Sequence, residues 1–318
     1  MTLANHVRTL GRGPGRSRDL TQDEAFDAMS LMLRDDTAPE AVGALLMLLR
    51  MKGETAPEIA GLAAAAQAQI PALPQVDLDW PTYAAGRTRG APWFLLSAKL
   101  VAAAGRRVLL HGWNGADPKV RAGLQQAGIA VARSAADAER LLGQDGIAYM
   151  PLEVLHPALF RLLGLRGVLG LRSCVNTICR MLNPGVATAS VQGVFHPSYR
   201  LLQADAGALL GWRNLSVIKG GGGEFERHPS KDIASFGLRD GELWEQRFPA
   251  VAEETRRLAT PAVAGTEPAQ PWDPTGPSAF ETEIITGTAA LALDTLGARD
   301  AATLARNLWA SRKMPVLT

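Results

Sequence analysis

Residues Leu165–Pro184 read LRGVLGLRSCVNTICRMLNP. Arg166, Arg172 and Arg180 stand there among apolar residues, with Asn176 and Asn183 close by. Gly167 and Gly170 interrupt the backbone ahead of Ser173, whose hydroxyl suits an N-cap. Cys174–Leu182 then reads as a short helix that stops before Asn183-Pro184, because the residue before a proline is driven out of the helical region. By pattern alone this is a buried connecting helix with solvated arginines. The order of its residues points further, and the chain on either side bears on it.

Towards the N-terminus, Thr21–Glu24, Thr37–Glu40 and Thr55–Glu58 each carry the Thr-x-x-Glu pattern of a capping box. Pro39 and Pro57 fall in first turns, where no amide bond is lost. Helices are predicted over 22–34, 38–51 and 56–69, the second with an apolar stripe at Val42, Leu45, Leu46 and Leu49. Residues 1–20, with Arg8, Arg12, Arg16 and Arg18 between glycines, read as a basic arm or a frayed terminus. Beyond Pro71, Pro74 and Pro81, strand patterns at 107–111, 129–132, 147–149, 190–194 and 214–219 alternate with helical ones at 93–104, 118–127, 135–142 and 197–210. That alternation predicts a parallel sheet. After Asp232 the pattern weakens. Thr255–Pro277 reads as a long loop, and 281–296 and 300–311 as closing helices.

The length of 318 residues suits two domains, and 47% hydrophobic with 20% charged residues describes a globular chain. Two cysteines, Cys174 and Cys179, on one short helix suggest packing in a reduced compartment rather than a disulfide framework. No apolar run approaches the roughly 18 residues of a membrane span, and no secretory h-region opens the chain. A cytoplasmic protein without a membrane partner is expected. The 33 basic and 31 acidic residues nearly cancel, to +2, so the distribution of charge matters more than its sum.

Leu169-Gly170-Leu171-Arg172-Ser173, then Asn176, then Leu182-Asn183-Pro184, resemble the LG-x-RT-xx-N-x-LGPL-NP signature of the anthranilate phosphoribosyltransferase family (glycosyltransferase family 3), without its Gly-Pro-Leu part. AVGALLMLLRMKGETAPEIAGLAAA, from Ala41 to Ala65, resembles the family's N-terminal helical domain, and the segment from Ile285 to Leu293 its closing helix. The resemblance implies an α/β class protein of the anthranilate phosphoribosyltransferase and nucleoside phosphorylase kind. A small all-helical domain over 1–72, joined by helices from 151–184, would carry a homodimer interface. A larger α/β domain with a mainly parallel sheet would span 73–150 and 185–318. Arg166 would sit where the family's arginine meets the carboxylate of the aromatic acceptor.

The family holds phosphoribosyl pyrophosphate with a G-T-G-G-D loop, an N-x-S-T helix start, a K-H-G-N turn and an acidic D-E pair that serves magnesium. Aligned on Ala102–Gly105, this chain has Pro92-Trp93-Phe94-Leu95 at the helix start and Leu110-His111-Gly112-Trp113 at the turn. Ala85–Gly90 stands in the region of the glycine loop, and Phe225-Glu226 at the acidic pair. Proline donates no amide and Phe and Leu carry no hydroxyl, so each change opposes phosphate or magnesium binding. His111, Arg166 and Glu226 survive as vestigial catalytic candidates.

What replaces the donor chemistry is aromatic and basic. Trp93, Trp113 and Phe225 either stack bases or fill a pocket as core. Arg87 and Arg89 on a glycine-rich loop, with Arg106, Arg107, Lys119 and Arg121, are candidate phosphate contacts. Arg166, Lys219 and Arg227 extend that set. The run Gly220, Gly221, Gly222 and Gly223 reads as a phosphate-cradling loop or as a flexible one. The five histidines show no metal-ligand spacing, so no metal site and no cofactor are expected, magnesium belonging only to an enzyme reading. These features resemble paralogues outside tryptophan synthesis: a homodimer binding nucleic acid, DNA or RNA, without sequence preference. The alternatives are a phosphoribosyltransferase or related glycosyl-transfer enzyme with an altered donor or acceptor, and a module binding a small molecule or protein in the old acceptor pocket.

Overall fold

Amphipathic helices at the N-terminus and alternating strands after them sort into a helical part and a sheet flanked by helices. The computed structural model describes residues 2–84, 90–113, 118–255 and 277–312. Arg87, Arg89 and most of the loop expected over 255–277 lie outside them. The N-terminal elements are α1 (Leu3–Gly11), α2 (Gln22–Met32), α3 (Pro39–Lys52) and α4 (Ala56–Gln67). Then come β1 (Leu78–Thr82), α5 (Phe94–Ala103), β2 (Val108–Gly112), α6 (Pro118–Gln126), α7 (Ala135–Asp145) and β3 (Ile147–Pro151). Short helices follow: α8 (Leu152–Leu155), α9 (Pro157–Gly164), α10 (Arg166–Leu169) and α11 (Val175–Arg180). The chain closes with β4 (Ala189–Val194), α12 (Tyr199–Leu209), β5 (Asn214–Lys219), β6 (Ile233–Arg239), β7 (Glu242–Phe248), α13 (Ala279–Thr295) and α14 (Ala301–Ala310).

Helices α1–α4 share one apolar core with α9 and α11, centred on the fully buried Leu45, Leu46 and Leu49 of α3. Capping boxes form at Thr21/Glu24 and Thr55/Glu58. The one expected at Thr37 does not. Pro39 opens the helix, Ala38 becomes the N-cap, and Thr37 Oγ1 donates to Leu31 O at 2.6 Å instead. The expected basic arm is in part α1, whose Leu3, His6 and Leu10 recur at helical spacing and are buried; His6 Nε2 lies 2.7 Å from Asp27 Oδ2. Ser173 is not a cap either, because α11 starts one residue later than expected, with Cys174 as its N-cap.

The sheet has the order β3-β2-β1-β4-β5-β6-β7. Its first five strands are parallel and β5-β6-β7 antiparallel. Residues 129–132 contribute only a bridge from Val131 to Tyr149. Two features escaped the sequence pattern. Strand β1 is central although it contains Pro81, normally an argument against a central strand. The β1–β4 ladder pairs only Leu78 with Ala189 and Asp79 with Ser190, so it has ended before the proline. The β6–β7 hairpin turns at Asp240-Gly241, with φ of 50° and 91°, the positive values a tight two-residue hairpin loop needs. Helices α5, α13 and α14 cover one face of the sheet, around Trp80, Phe94 and Phe225.

A Cβ on Gly61 of α4 would lie 2.1 Å from Gln22 O and 2.8 Å from Ala25 Cβ of α2. Gly61→Ala is therefore expected to cost about 1–3 kcal/mol in urea denaturation. Gly143→Ala in α7, where an added Cβ meets nothing within 4 Å, should gain about 0.4–1 kcal/mol. His156 links α4 to α9: its Nε2 donates to Ala66 O at 3.1 Å and its Nδ1 accepts the Leu159 amide at 3.3 Å. Burial holds its pKa below the ordinary 6.5. The unfolded chain then takes up the proton first, so stability is full above about pH 6.5 and falls as the pH drops below it. Melting curves from about pH 8 to pH 5 should show that loss, and His156→Gln should reduce it.

Candidate functional site

Strand order reverses between β1 and β4, since β2 lies on one side of that pair and β5 on the other. Open α/β sheets take ligands in the crevice beyond the C-terminal strand ends at such a point. Here α11 enters the crevice. Arg180 at its end is buried, and its Nη2 donates to Tyr83 O at 2.9 Å while Nη1 reaches Asn176 Oδ1 at 2.5 Å. Asn176 Nδ2 also donates to Tyr83 O, and Gln192 Nε2 of β4 to Arg180 O, at 3.2 and 2.8 Å. Burial lowers the guanidinium's pKa, and Glu224 opposes the shift.

Next to this lies the region assigned by resemblance to the phosphoribosyl donor. The first amide of α5, Phe94 N–H, donates to Glu226 Oε2, and Ala84 N–H to Glu224 Oε1, both at 3.0 Å. The glycine run makes this possible. A Cβ on Gly220 would lie 1.6 Å from Glu224 O, and one on Gly193 would lie 2.0 Å from Glu224 C. Gly222, at φ 66°, takes the left-handed conformation that reverses the chain. The amides of Gly220, Gly221 and Gly223 donate to the carbonyls of Val194, Glu226 and Gly220. Three of the four amides of Gly220, Gly221, Gly222 and Gly223, expected as a phosphate-cradling or flexible loop, thus serve backbone carbonyls of the protein, and the run forms a tight turn.

Trp93 and Phe225 are core residues rather than stacking platforms, exposed to 1% and 0%. Trp80 meets Phe225 edge-on at 5.5 Å and stacks on Phe94 at 6.4 Å. His111 is sealed as well, with Nδ1 2.9 Å from Tyr83 Oη and Nε2 3.0 Å from Asp79 Oδ1. Among the described residues no three His, Cys, Asp or Glu side chains gather as a metal would require. Glu224 and Glu226 each accept from a different backbone amide.

The open space is displaced from there. A cleft of about 400 Å³ lies between the end of α3, the α10–α11 connection and the end of β4, and Arg50, Arg166, Arg172 and Arg180 line it. Arg50 Nη1 donates to Arg172 O at 2.6 Å, which ties α3 to the connection. Partial burial lowers the pKa of Arg172, and Arg166 and Arg50 lower it further. One lining carboxylate faces them, Glu54, whose pKa burial raises; Tyr199 Oη donates to it at 3.3 Å. Trp113 packs edge-on against Phe160 at 5.9 Å and borders the cleft beside Arg166 and Arg172.

Of the expected phosphate contacts, Arg166 stands in this cleft. Lys219 lines a second one of about 300 Å³ with His228, Lys231 and Arg247. Arg227 is buried, its guanidinium donating to Pro249 O, so it is no surface contact. Arg106 and Arg107 precede β2, at the opposite end of the parallel strands, and Arg107 pairs with Glu139 at 3.0 Å. Lys119 and Arg121 are exposed on α6, where Arg121 pairs with Glu153. Arg50, Arg172, Arg180 and Glu54 were not singled out from sequence as contacts. No local signal joins Arg50 to residues 122 positions away.

Residues 5–69 match the family model described as a glycosyl transferase family, helical bundle domain. The anthranilate phosphoribosyltransferase of Natronomonas pharaonis is 31% identical over 253 residues, 77% of this chain and 73% of that protein. That of Roseiflexus sp. (strain RS-1) is 36% identical over 216 residues, which span 65% of this chain and only 62% of the relative's length. Among solved structures, the Thermus thermophilus enzyme superposes with a TM-score of 0.78 at 22% identity, over 97% of this chain and 94% of that one. The Saccharomyces cerevisiae enzyme in complex with PRPP and Mg gives 0.74 at 15%, over 96% and 92%. Helical bundle, sheet order and relatives agree, and the chain belongs to the anthranilate phosphoribosyltransferase family.

Proposed function

We propose that this family member is a homodimeric nucleic-acid-binding protein with a degenerate phosphoribosyl-donor site, reading the phosphate backbone rather than base sequence. The observation that carries this is the cleft in which Arg50, Arg166, Arg172 and Arg180 meet one carboxylate. Guanidinium groups bind phosphate oxygens in pairs and stay charged at any working pH. The other end of the crevice supports the reading, because the α5 amide best placed for a substrate phosphate already holds Glu226. Met51 and Val168, each more than 80% exposed on the helical part, leave apolar surface for a second copy, whose cleft would extend the groove.

A second reading is phosphoribosyl transfer with an altered donor or acceptor. The names of the relatives favour it, and so does Arg166, placed in the cleft where the resemblance expects an acceptor carboxylate. Magnesium would be needed only under this reading.

Fluorescence anisotropy of a labelled oligonucleotide at about 50 and 200 mM salt should show binding that falls steeply with salt. Arg166→Glu with Arg172→Glu should weaken binding to every sequence alike and reduce the log–log salt slope by roughly 2. Titration calorimetry with phosphoribosyl pyrophosphate and magnesium should give no saturable heat; saturable heat would establish the second reading. Glu54 holds a raised pKa in the fold, so its stabilising share is present at low pH and lost as the pH rises through that value. Glu54→Gln should therefore raise the melting temperature at about pH 8 but not near pH 4. It should also tighten oligonucleotide binding at neutral pH.

A further inference from the structure

Phe195 follows the last residue of β4 and is 60% exposed, although it is a large aromatic side chain at the mouth of the sheet. Its ring meets that of His196 edge-on at 5.1 Å, and His196 is exposed too. Gly223, at φ 90° in the turn after β5, lies beside the start of this residue: an added Cβ would sit at an ordinary contact distance of 3.5 Å from Phe195 Cβ.

The surroundings of the ring give it a use. Phe195, His196 and Tyr199 line the arginine cleft. Arg200, the next residue of α12, lines the second cleft, whose floor includes Gly220 and Gly221. Arg200 is fixed there by Nη1 donating to Ala234 O at 3.0 Å, with its guanidinium 4.8 Å from the Phe236 ring centre. Lys219, Lys231 and Arg247 contribute the second cleft's outer cations; its single carboxylate, Asp232, accepts from Ala250 N–H at 3.1 Å and lies 3.9 Å from Arg247. Phe195 and His196 therefore form an aromatic ridge on the arginine cleft, a few residues along the chain from Arg200 of the second cleft.

We infer that Phe195, with His196, is a base-stacking platform for single-stranded nucleic acid, whose backbone passes from the arginine cleft over the ridge to the Lys219–Lys231–Arg247 cleft. This rests on the nucleic-acid reading above and adds the strandedness of the ligand and the residue that selects it. A duplex keeps its bases stacked inward, whereas an unpaired strand offers their faces to an exposed ring. Stacking on one ring tolerates any base, so the platform adds affinity without sequence preference.

The test is anisotropy with three labelled probes of about 20 nucleotides, long enough to span the site sizes usual for such grooves. They are oligothymidylate, oligouridylate and an abasic strand with the same phosphate count. The unmodified protein should bind the strands with bases more tightly than the abasic one. Phe195→Ala should weaken binding of the former roughly five- to 150-fold, the range for one lost stack, and leave the abasic strand's affinity unchanged. Phe195→Trp, which keeps a stacking face, should bind as tightly as the unmodified protein and shows that loss at Ala is not misfolding. Loss with either base-bearing strand carries the inference, and the strand that shows it distinguishes DNA from RNA. Tight binding of all three strands that Phe195→Ala leaves untouched overturns the platform while the nucleic-acid reading stands. No binding of any strand by the unmodified protein at low salt overturns both.

Discussion

The guanidinium of Arg180 is the contact on which the two parts of the molecule depend. It is buried where α11, the segment after β1 and strand β4 converge, and it bonds Tyr83 O and Asn176 Oδ1. A buried charge is tolerated only when its hydrogens are satisfied and an opposite charge lies near, and Glu224 supplies that charge. The planar fork lets one side chain hold carbonyl and amide partners at once, which a lysine could not reproduce. Because Tyr83 follows β1 at the sheet's switch point and Asn176 lies on α11, this junction ties the connecting helix to the sheet.

The two ends of the crevice resolve the same electrostatic problem in opposite ways. A helix N-terminus attracts an anion. At α5 that anion is internal: Glu226 is held over the first amide by the glycine turn and by the aromatic wall of Trp80, Phe94 and Phe225. At the other end, cations outnumber carboxylates among the lining side chains, where Glu54 faces four arginines.

How much of this was legible in the sequence follows from the range of each interaction. Local signals read well: the boxes at Thr21 and Thr55 cap their helices, and the alternation after residue 100 gives parallel strands. Signals that depend on neighbours did not. Pro81 hides a central strand because the ladder beside it stops two residues earlier, a fact of pairing rather than of sequence. Trp93, Phe225 and Phe195 are all large aromatics in the sequence, yet the first two are walled in and the third is exposed. The arginine cleft needs α3 folded against residues 166–180, and no window of sequence contains both.

The same argument explains why a net charge of +2 says little about partners. Much of the positive charge is matched locally: Arg18 with Glu24, Arg34 with Asp36, Arg140 with Asp137 and Arg213 with Asp240 form surface pairs at 2.5–2.8 Å. Such pairs add little to stability, but they cancel the field of those residues within a few ångströms. At physiological salt a charge is felt over about 8 Å, so a ligand samples each region separately and not the molecular sum. What it samples at the mouth of the sheet is the guanidinium groups of Arg50, Arg166 and Arg172, gathered by folding from α3, α10 and the connection that follows, together with Glu54, which burial inclines towards its neutral form.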